Sequence, residues 1–184
     1  QTPRMIFMNK LERENANFSR VLEQLRGAYG QAIAPIQLPI GNAENFTGFV
    51  DLIEEKAYLW DKSNVTEGEI PQEMLAEVEA AREALMEAVS VTDDELMMKY
   101  LEGEGLTTDE LRNALAVGVK AQEVIPVLCG SATENVGIAQ LLNYIVRCIP
   151  NPSERTYSGL DTKSDSAVEI KTSDQQLCAL VYKT

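Results

Sequence analysis

Two short apolar runs, separated by more than a hundred residues, constrain the fold of this chain more than any other feature. The first is Met-Ile-Phe-Met at residues 5–8, and the second extends from Val124 to Cys129. Each run ends abruptly and is followed, after a polar or glycine-containing loop, by a helical repeat with apolar side chains on one face. Such runs are typical of buried strands in a parallel sheet. The sequence therefore predicts an α/β domain whose two βα units flank an insertion.

The residues between these units predict a separate α+β subdomain. From Pro35 to Trp60 the pattern changes to short alternating runs divided by turn signals, which favours a small antiparallel meander. Three helical patterns follow. Two of them begin at sequences typical of a capping box, Thr92 to Glu95 and Thr107 to Glu110.

Five segments make up the predicted organisation. They are a first βα unit (1–34), the inserted subdomain (35–122), a second βα unit (123–150), a polar linker without periodicity (151–174) and a final segment (175–184) whose apolar run begins a further strand. Because the chain starts without Met and already inside a strand pattern, we expect it to be an internal piece of a longer protein.

Composition restricts the class of protein. The net charge of −13 argues against a broad surface for duplex nucleic acid, which needs clustered Lys and Arg. The three cysteines, Cys129, Cys148 and Cys178, are widely spaced in a chain without His, so we predict buried thiols in a reducing cytosol and no metal site. A membrane span requires a run of about 18 apolar residues, and no run in this sequence is that long.

Polar residues that are candidates for ligand binding follow both apolar runs. Asn9-Lys10-Leu11-Glu12 comes after the first, and Gly130-Ser131-Ala132 after the second. Open parallel sheets bind ligands at the carboxyl ends of their strands, so these loops form the candidate site. The first resembles the Asn-Lys-x-Asp motif of GTPases and the second resembles their Ser-Ala motif. Taken singly, each also fits an ordinary solvated loop or strand-to-helix turn.

The resemblance extends over most of the chain, through Asn9 to Phe18, Phe46 to Leu52, Leu96 to Leu101 and Val136 to Pro150. In this order, and with Ser131 lying 122 positions after Asn9, the segments resemble elongation factor G, a translational GTPase. The resemblance implies part of a P-loop GTPase parallel sheet with an inserted α+β subdomain. It also implies that residues 175–184 open the β-barrel of domain II.

The same resemblance implies roles in guanine binding for individual residues. The Asn9 amide would fix the loop and contact the purine, the Lys10 stem would lie along the ring, and Glu12 would accept two guanine donors. The N–H groups of Ser131 and Ala132 would meet the base oxygen. The family has Asp where this chain has Glu12, whose longer side chain carries a larger ordering cost and leaves guanine selectivity open.

The function implied is GTP-driven movement of tRNA and mRNA through the ribosome by a cytoplasmic factor that binds GTP or GDP with Mg²⁺. This sequence contains neither a Gly-x-x-x-x-Gly-Lys-Ser/Thr string nor Asp-x-x-Gly, so we predict that the fragment itself hydrolyses nothing and holds no cofactor. The inserted subdomain would contact the stalk protein of the large ribosomal subunit, with Glu73 and Glu77 as candidate contacts. A solvated helix face is the simpler interpretation of these acids.

Two other functions fit the sequence. The segment could serve as a protein-interaction module without GTP chemistry, which a damaged P-loop upstream would indicate. The parent could instead be a ribosome-protection or release-factor relative of the same superfamily, which its flanking domains would distinguish.

Overall fold

The computed structural model describes residues 2–154, 156–161 and 164–174, which form one unit up to Ile149 and a second from Pro150. The first unit contains a three-stranded parallel sheet of β1 (Ile6–Met8), β2 (Ile33–Pro35) and β7 (Ile125–Cys129), in the order β1-β7-β2. All five residues of β7 are buried, as expected for a central strand flanked on both sides. Helices α1 (Phe18–Tyr29) and α5 (Ile138–Cys148) follow β1 and β7. Both predicted βα units are therefore confirmed.

The short strand β2 was not predicted. It crosses the expected boundary between residues 34 and 35, and its side chains at Ile33 and Ala34 are only 4% and 2% exposed. Three residues that include Ala and Pro carry no strand periodicity, so only their burial against β7 identifies them as a strand.

An antiparallel sheet follows directly, with four strands in sequential order. They are β3 (Gln37–Ile40), β4 (Gly48–Asp51), β5 (Lys56–Trp60) and β6 (Val65–Gly68). The predicted meander is confirmed for the first three. The fourth, Val-Thr-Glu-Gly, is mostly polar and lacked a recognisable pattern.

Three helices complete the insertion, α2 (Leu75–Ser90), α3 (Asp94–Leu101) and α4 (Thr108–Ala121). The capping box at Thr107 is confirmed, because its hydroxyl accepts from the Glu110 N–H while the Glu110 carboxylate accepts from the Thr107 N–H. The box predicted at Thr92 is wrong. Asp93 caps α3 instead, and the Thr92 hydroxyl donates to the Val89 carbonyl at the end of α2.

Glu110 also joins α3 to α4. Both of its carboxylate oxygens accept hydrogen bonds from the Lys99 ammonium, at 2.8 and 2.9 Å. The Lys99 bonds, followed by those from the Thr107 backbone and hydroxyl, lower the pKa of Glu110 to about 2. The carboxylate is thus favoured in its charged form by specific donors.

In place of the irregular linker expected for residues 151–174, the second unit has an antiparallel hairpin of β8 (Tyr157–Asp161) and β9 (Ser166–Ile170). Its strands are largely exposed and polar, which conceals the alternation that predicts a strand. The further strand expected within residues 175–184, together with Cys178, lies outside the described residues.

The cysteines at 129 and 148 are free thiols, 0% and 1% exposed, as predicted. Burial raises the pKa of Cys129 well above its ordinary value and that of Cys148 to about 11. Among the described helices, none combines the length and apolar character that crossing a bilayer requires.

Candidate functional site

The two candidate loops leave neighbouring strands at the same edge of the parallel sheet. Met8 at the end of β1 is in register with Cys129 at the end of β7. Beyond this pair, the Gly130 N–H donates to the Met8 carbonyl at 3.1 Å, and the Leu11 N–H donates to the Gly130 carbonyl at 3.2 Å. The strand ladder therefore continues into both loops and holds them together.

Asn9 makes the direct side-chain connection between the loops. Its Oδ1 atom accepts a hydrogen bond from the Ala132 N–H at 2.9 Å, across 123 positions of sequence, and another from the Lys10 N–H at 2.8 Å. Lys10 has a positive φ of 64° and is exposed. One amide oxygen thus determines the relative position of residues from both predicted motifs.

Ser131 shapes the second loop from the inside. It is fully buried and exchanges two backbone hydrogen bonds with Val136, at 3.0 and 2.8 Å. Its hydroxyl oxygen accepts from the Glu134 N–H at 3.3 Å. The N–H of Ser131 is therefore used within the loop, and that of Ala132 is used by Asn9, so a base oxygen would have to share or exchange these donors.

Two glycines allow this turn to pack closely against the strands. A Cβ atom at Gly130 would lie 2.2 Å from the Val136 carbonyl oxygen, and one at Gly137 would lie 2.7 Å from the Cys129 oxygen. Gly137 also has a φ of +81°, where a side chain is strained. Any larger residue at these positions would displace the loop that carries Ser131.

Glu12 lies against the second loop. One carboxylate oxygen, Oε1, accepts from the Thr133 hydroxyl at 3.3 Å and pairs with the Arg13 guanidinium at 3.3 Å. The other, Oε2, is buried and has no hydrogen-bond partner among the described residues. The side chain is 14% exposed, so most of the carboxylate is turned into the loop.

The charge of Glu12 is nevertheless maintained. Burial raises the pKa of its carboxyl, but the nearby Ser131 and Thr133 hydroxyls, its own backbone and Arg13 lower the pKa by more in total. The net pKa lies below the ordinary value, so the group is an anion at neutral pH. Such an acceptor suits a ligand that presents N–H donors.

Thr133 was missed in the sequence analysis, although it directly follows the Ser-Ala motif. The structure identifies it through its contact with Glu12, which lies 121 positions earlier. A hydroxyl next to a motif is a weak signal unless the fold shows which carboxylate it contacts.

The candidate partner-binding acids lie on different elements, in the insertion. Glu73 is in the short 3₁₀ turn before α2, and Glu77 is in the first turn of that helix. Both are exposed, and three further acids along α2 share this exposure, namely Glu79, Glu83 and Glu87. In the part of the chain that the structure describes, none of the five has an ion pair.

A comparison with models of known protein families found no match. Among solved structures, the chain is similar to a protein of Thermus thermophilus known from a crystal structure, with 34% sequence identity and a TM-score of 0.74. The match covers 83% of this chain and 23% of that chain, so this chain spans about a quarter of the protein it matches. The similarity supports the mixed α/β fold.

Proposed function

We propose that this chain is the base-reading segment and inserted subdomain of a GTP-binding translation factor of the elongation factor G type. The observation that carries the proposal is the hydrogen bond from the Ala132 N–H to Asn9 Oδ1, at 2.9 Å. It joins the two motifs that resemble the guanine-reading elements of GTPases, at the strand edge where parallel sheets bind ligands. The three-stranded sheet would then be part of a P-loop GTPase sheet.

The residues of the site suit a guanine base. Guanine presents two adjacent N–H donors, which a carboxylate can accept together, whereas adenine has no matching pair. Glu12 supplies an anionic carboxylate with one oxygen that has no partner among the described residues. To present both oxygens, however, the carboxylate must turn away from Thr133. Asn9 would hold the two loops, and the exposed Lys10 would cover the ring.

The phosphates and Mg²⁺ would be bound elsewhere in a longer protein, because this sequence has no P-loop string. When bound, Mg²⁺ and the phosphate-binding loop supply the charge stabilisation for phosphoryl transfer. Residues of this chain would contribute base recognition only. On its own, the chain should not hydrolyse GTP.

The whole protein would act with the ribosome in the cytoplasm and would use GTP hydrolysis to move tRNA and mRNA. The exposed acids at the start of α2 and before it, including Glu73 and Glu77, would contact the stalk protein of the large ribosomal subunit. Their exposure and lack of ion pairs in the described structure also fit the alternative function, a protein-interaction module without hydrolysis.

The decisive experiment uses the longer protein that contains this chain. Its coding region should contain a P-loop upstream, and the protein should bind GDP in preference to ADP and hydrolyse GTP faster with ribosomes. Asn9→Ala should weaken GDP binding, whereas Asn113→Ala, at an exposed position of α4 without a described side-chain hydrogen bond, should not. A broken P-loop with intact ribosome binding would favour the interaction module, and equal binding of GDP and ADP would refute base reading.

A further inference from the structure

The last backbone N–H of β7 has an unusual partner. Along this strand, the backbone N–H and C=O groups of Val127 and Cys129 point toward β2, whereas the backbone groups of Gly130, the next residue, point toward β1. The β2 side of the ladder ends where the Ile36 N–H donates to the Val127 carbonyl at 3.0 Å, since the chain then turns into β3. Cys129 would therefore lack a backbone acceptor on that side.

The side chain of Gln37 replaces the missing strand. Its Oε1 atom accepts from the Cys129 N–H at 3.1 Å, and its Nε2 group donates to Asp51 Oδ2 at 3.5 Å. Gln37 and Asp51 are cross-strand neighbours in the β3–β4 pair and are 0% and 1% exposed. A donor at one end and a carboxylate at the other leave only one suitable orientation for the amide.

Asp51 connects this amide to the helix that follows the candidate site. Both carboxylate oxygens lie 3.0 Å from the Tyr144 hydroxyl of α5, and Oδ1 also accepts from the Ile53 and Glu54 N–H groups at 3.1 Å. Burial raises the pKa of Asp51, while these donors oppose the shift. The network thus joins β7, β3, β4 and α5 within the core.

We propose that Gln37 is a positioning residue through which the insertion holds the Gly130-Ser131-Ala132 turn. Cys129 immediately precedes this turn, and the opposite side of the strand is already tied to β1 through Gly130. With both sides restrained, the Ala132 N–H reaches Asn9. The effect on base binding rests on the proposed function, whereas the effect on the turn does not. A partner that shifted the β3–β4 pair would move the turn through this amide.

The test is amide NMR of the 184-residue chain. Gln37→Met has a similar size but makes neither hydrogen bond, so hydrogen exchange at Cys129 should accelerate about tenfold, by the value of one hydrogen bond, and the Ala132 amide resonance should shift. Exchange at Val119, in the core of α4, should change much less. The control Gln72→Met, at an exposed position, should leave all three amides as in wild type.

The double variant Q37E/D51N exchanges the chemical groups while keeping the network. The carboxylate introduced at position 37 can accept from Cys129, and the amide introduced at position 51 can donate to it. We expect this variant to show the wild-type exchange rate at Cys129 and the wild-type amide resonance of Ala132. It therefore tests the proposal even if Gln37→Met does not fold. Uniform acceleration at Cys129 and Val119, an unshifted Ala132 amide, or a double variant as perturbed as Gln37→Met would overturn the proposal.

A parallel measurement of GDP affinity in the longer protein separates the two proposals. If Gln37→Met shifts the Ala132 amide resonance but the wild-type longer protein binds GDP and ADP equally, the proposed function fails and the positioning role stands. If GDP binds selectively but Ala132 does not respond to Gln37→Met, the positioning role fails alone.

Discussion

Removing the Asn9 amide should separate the two loops of the candidate site. In Asn9→Ala, the N–H groups of Lys10 and Ala132 lose a common acceptor, at 2.8 and 2.9 Å. Each protein hydrogen bond contributes about 0.5–1.5 kcal/mol net. Both groups lie at the exposed edge of the sheet and can rebond to water, so we expect the lower part of that range. The free energy of unfolding should therefore fall by about 1–2 kcal/mol.

Urea unfolding followed by fluorescence measures this loss. Trp60 is the single tryptophan and lies in the first unit, so its signal reports on that unit. With a urea dependence of about 2 kcal/mol per molar, the midpoint should shift down by about 0.5–1 M.

Asn9→Asp is the matched variant, because its carboxylate can accept both bonds. Its midpoint should stay near that of wild type, although base recognition by the longer protein should be impaired in both variants. Equal midpoints for wild type and Asn9→Ala, or an equal loss in Asn9→Asp, would show that the Asn9 oxygen does not join the loops.

Three other variants test separate parts of the structure. Glu12→Asp has a shorter side chain, which loses less conformational entropy when it is ordered. In a fluorescence titration of the longer protein, the ratio of its affinity for GDP to its affinity for ADP should therefore rise several-fold. An unchanged ratio would contradict the proposed role of Glu12. Since the pKa of Glu110 is lowered to about 2, its stabilisation is complete at neutral pH and is lost as the pH falls from about 4.5 toward 2. Glu110→Gln should therefore lower the thermal unfolding midpoint at pH 7, and the midpoint of this variant should fall less steeply as the pH is lowered. Glu104→Gln, at an exposed turn, should have the same midpoints as wild type. Gly130→Ala should cost about 1–3 kcal/mol in urea unfolding, because the new methyl group overlaps a backbone oxygen. Gly105→Ala, with open space around its Cα, should cost much less, and equal costs would refute this account of the turn.

The features predicted correctly were those with a strong periodic or local signal. Strand β7 is five buried residues in a row, and the Thr107 box depends only on residues three positions apart. Strands β2 and β6 were missed, since neither burial between elements nor cross-strand pairing is visible in three or four residues of mixed polarity.

Within the candidate site, the sequence indicated which loops meet but not how. The bond from Ala132 to Asn9 requires the register of two distant strands. The turning of Glu12 toward Thr133 depends on a rotamer that only tertiary packing selects. Gln37, an amide within the run Ile-Gln-Leu-Pro-Ile, was a visible polar interruption, but its role required knowing where the β2 ladder ends.

The central position of β7 also has a consequence for biosynthesis. The two loops of the candidate site are 123 positions apart, which at a synthesis rate of roughly 5–20 residues per second corresponds to about 6–25 seconds. During this interval β1 lacks β7, the strand that pairs with it among the described residues, while the antiparallel sheet of the insertion can already pair its neighbouring strands. The nascent chain should therefore complete its insertion first and close the parallel sheet last. Until the second loop emerges, the edge of β1 that pairs with β7 is open to chaperones and to mispairing.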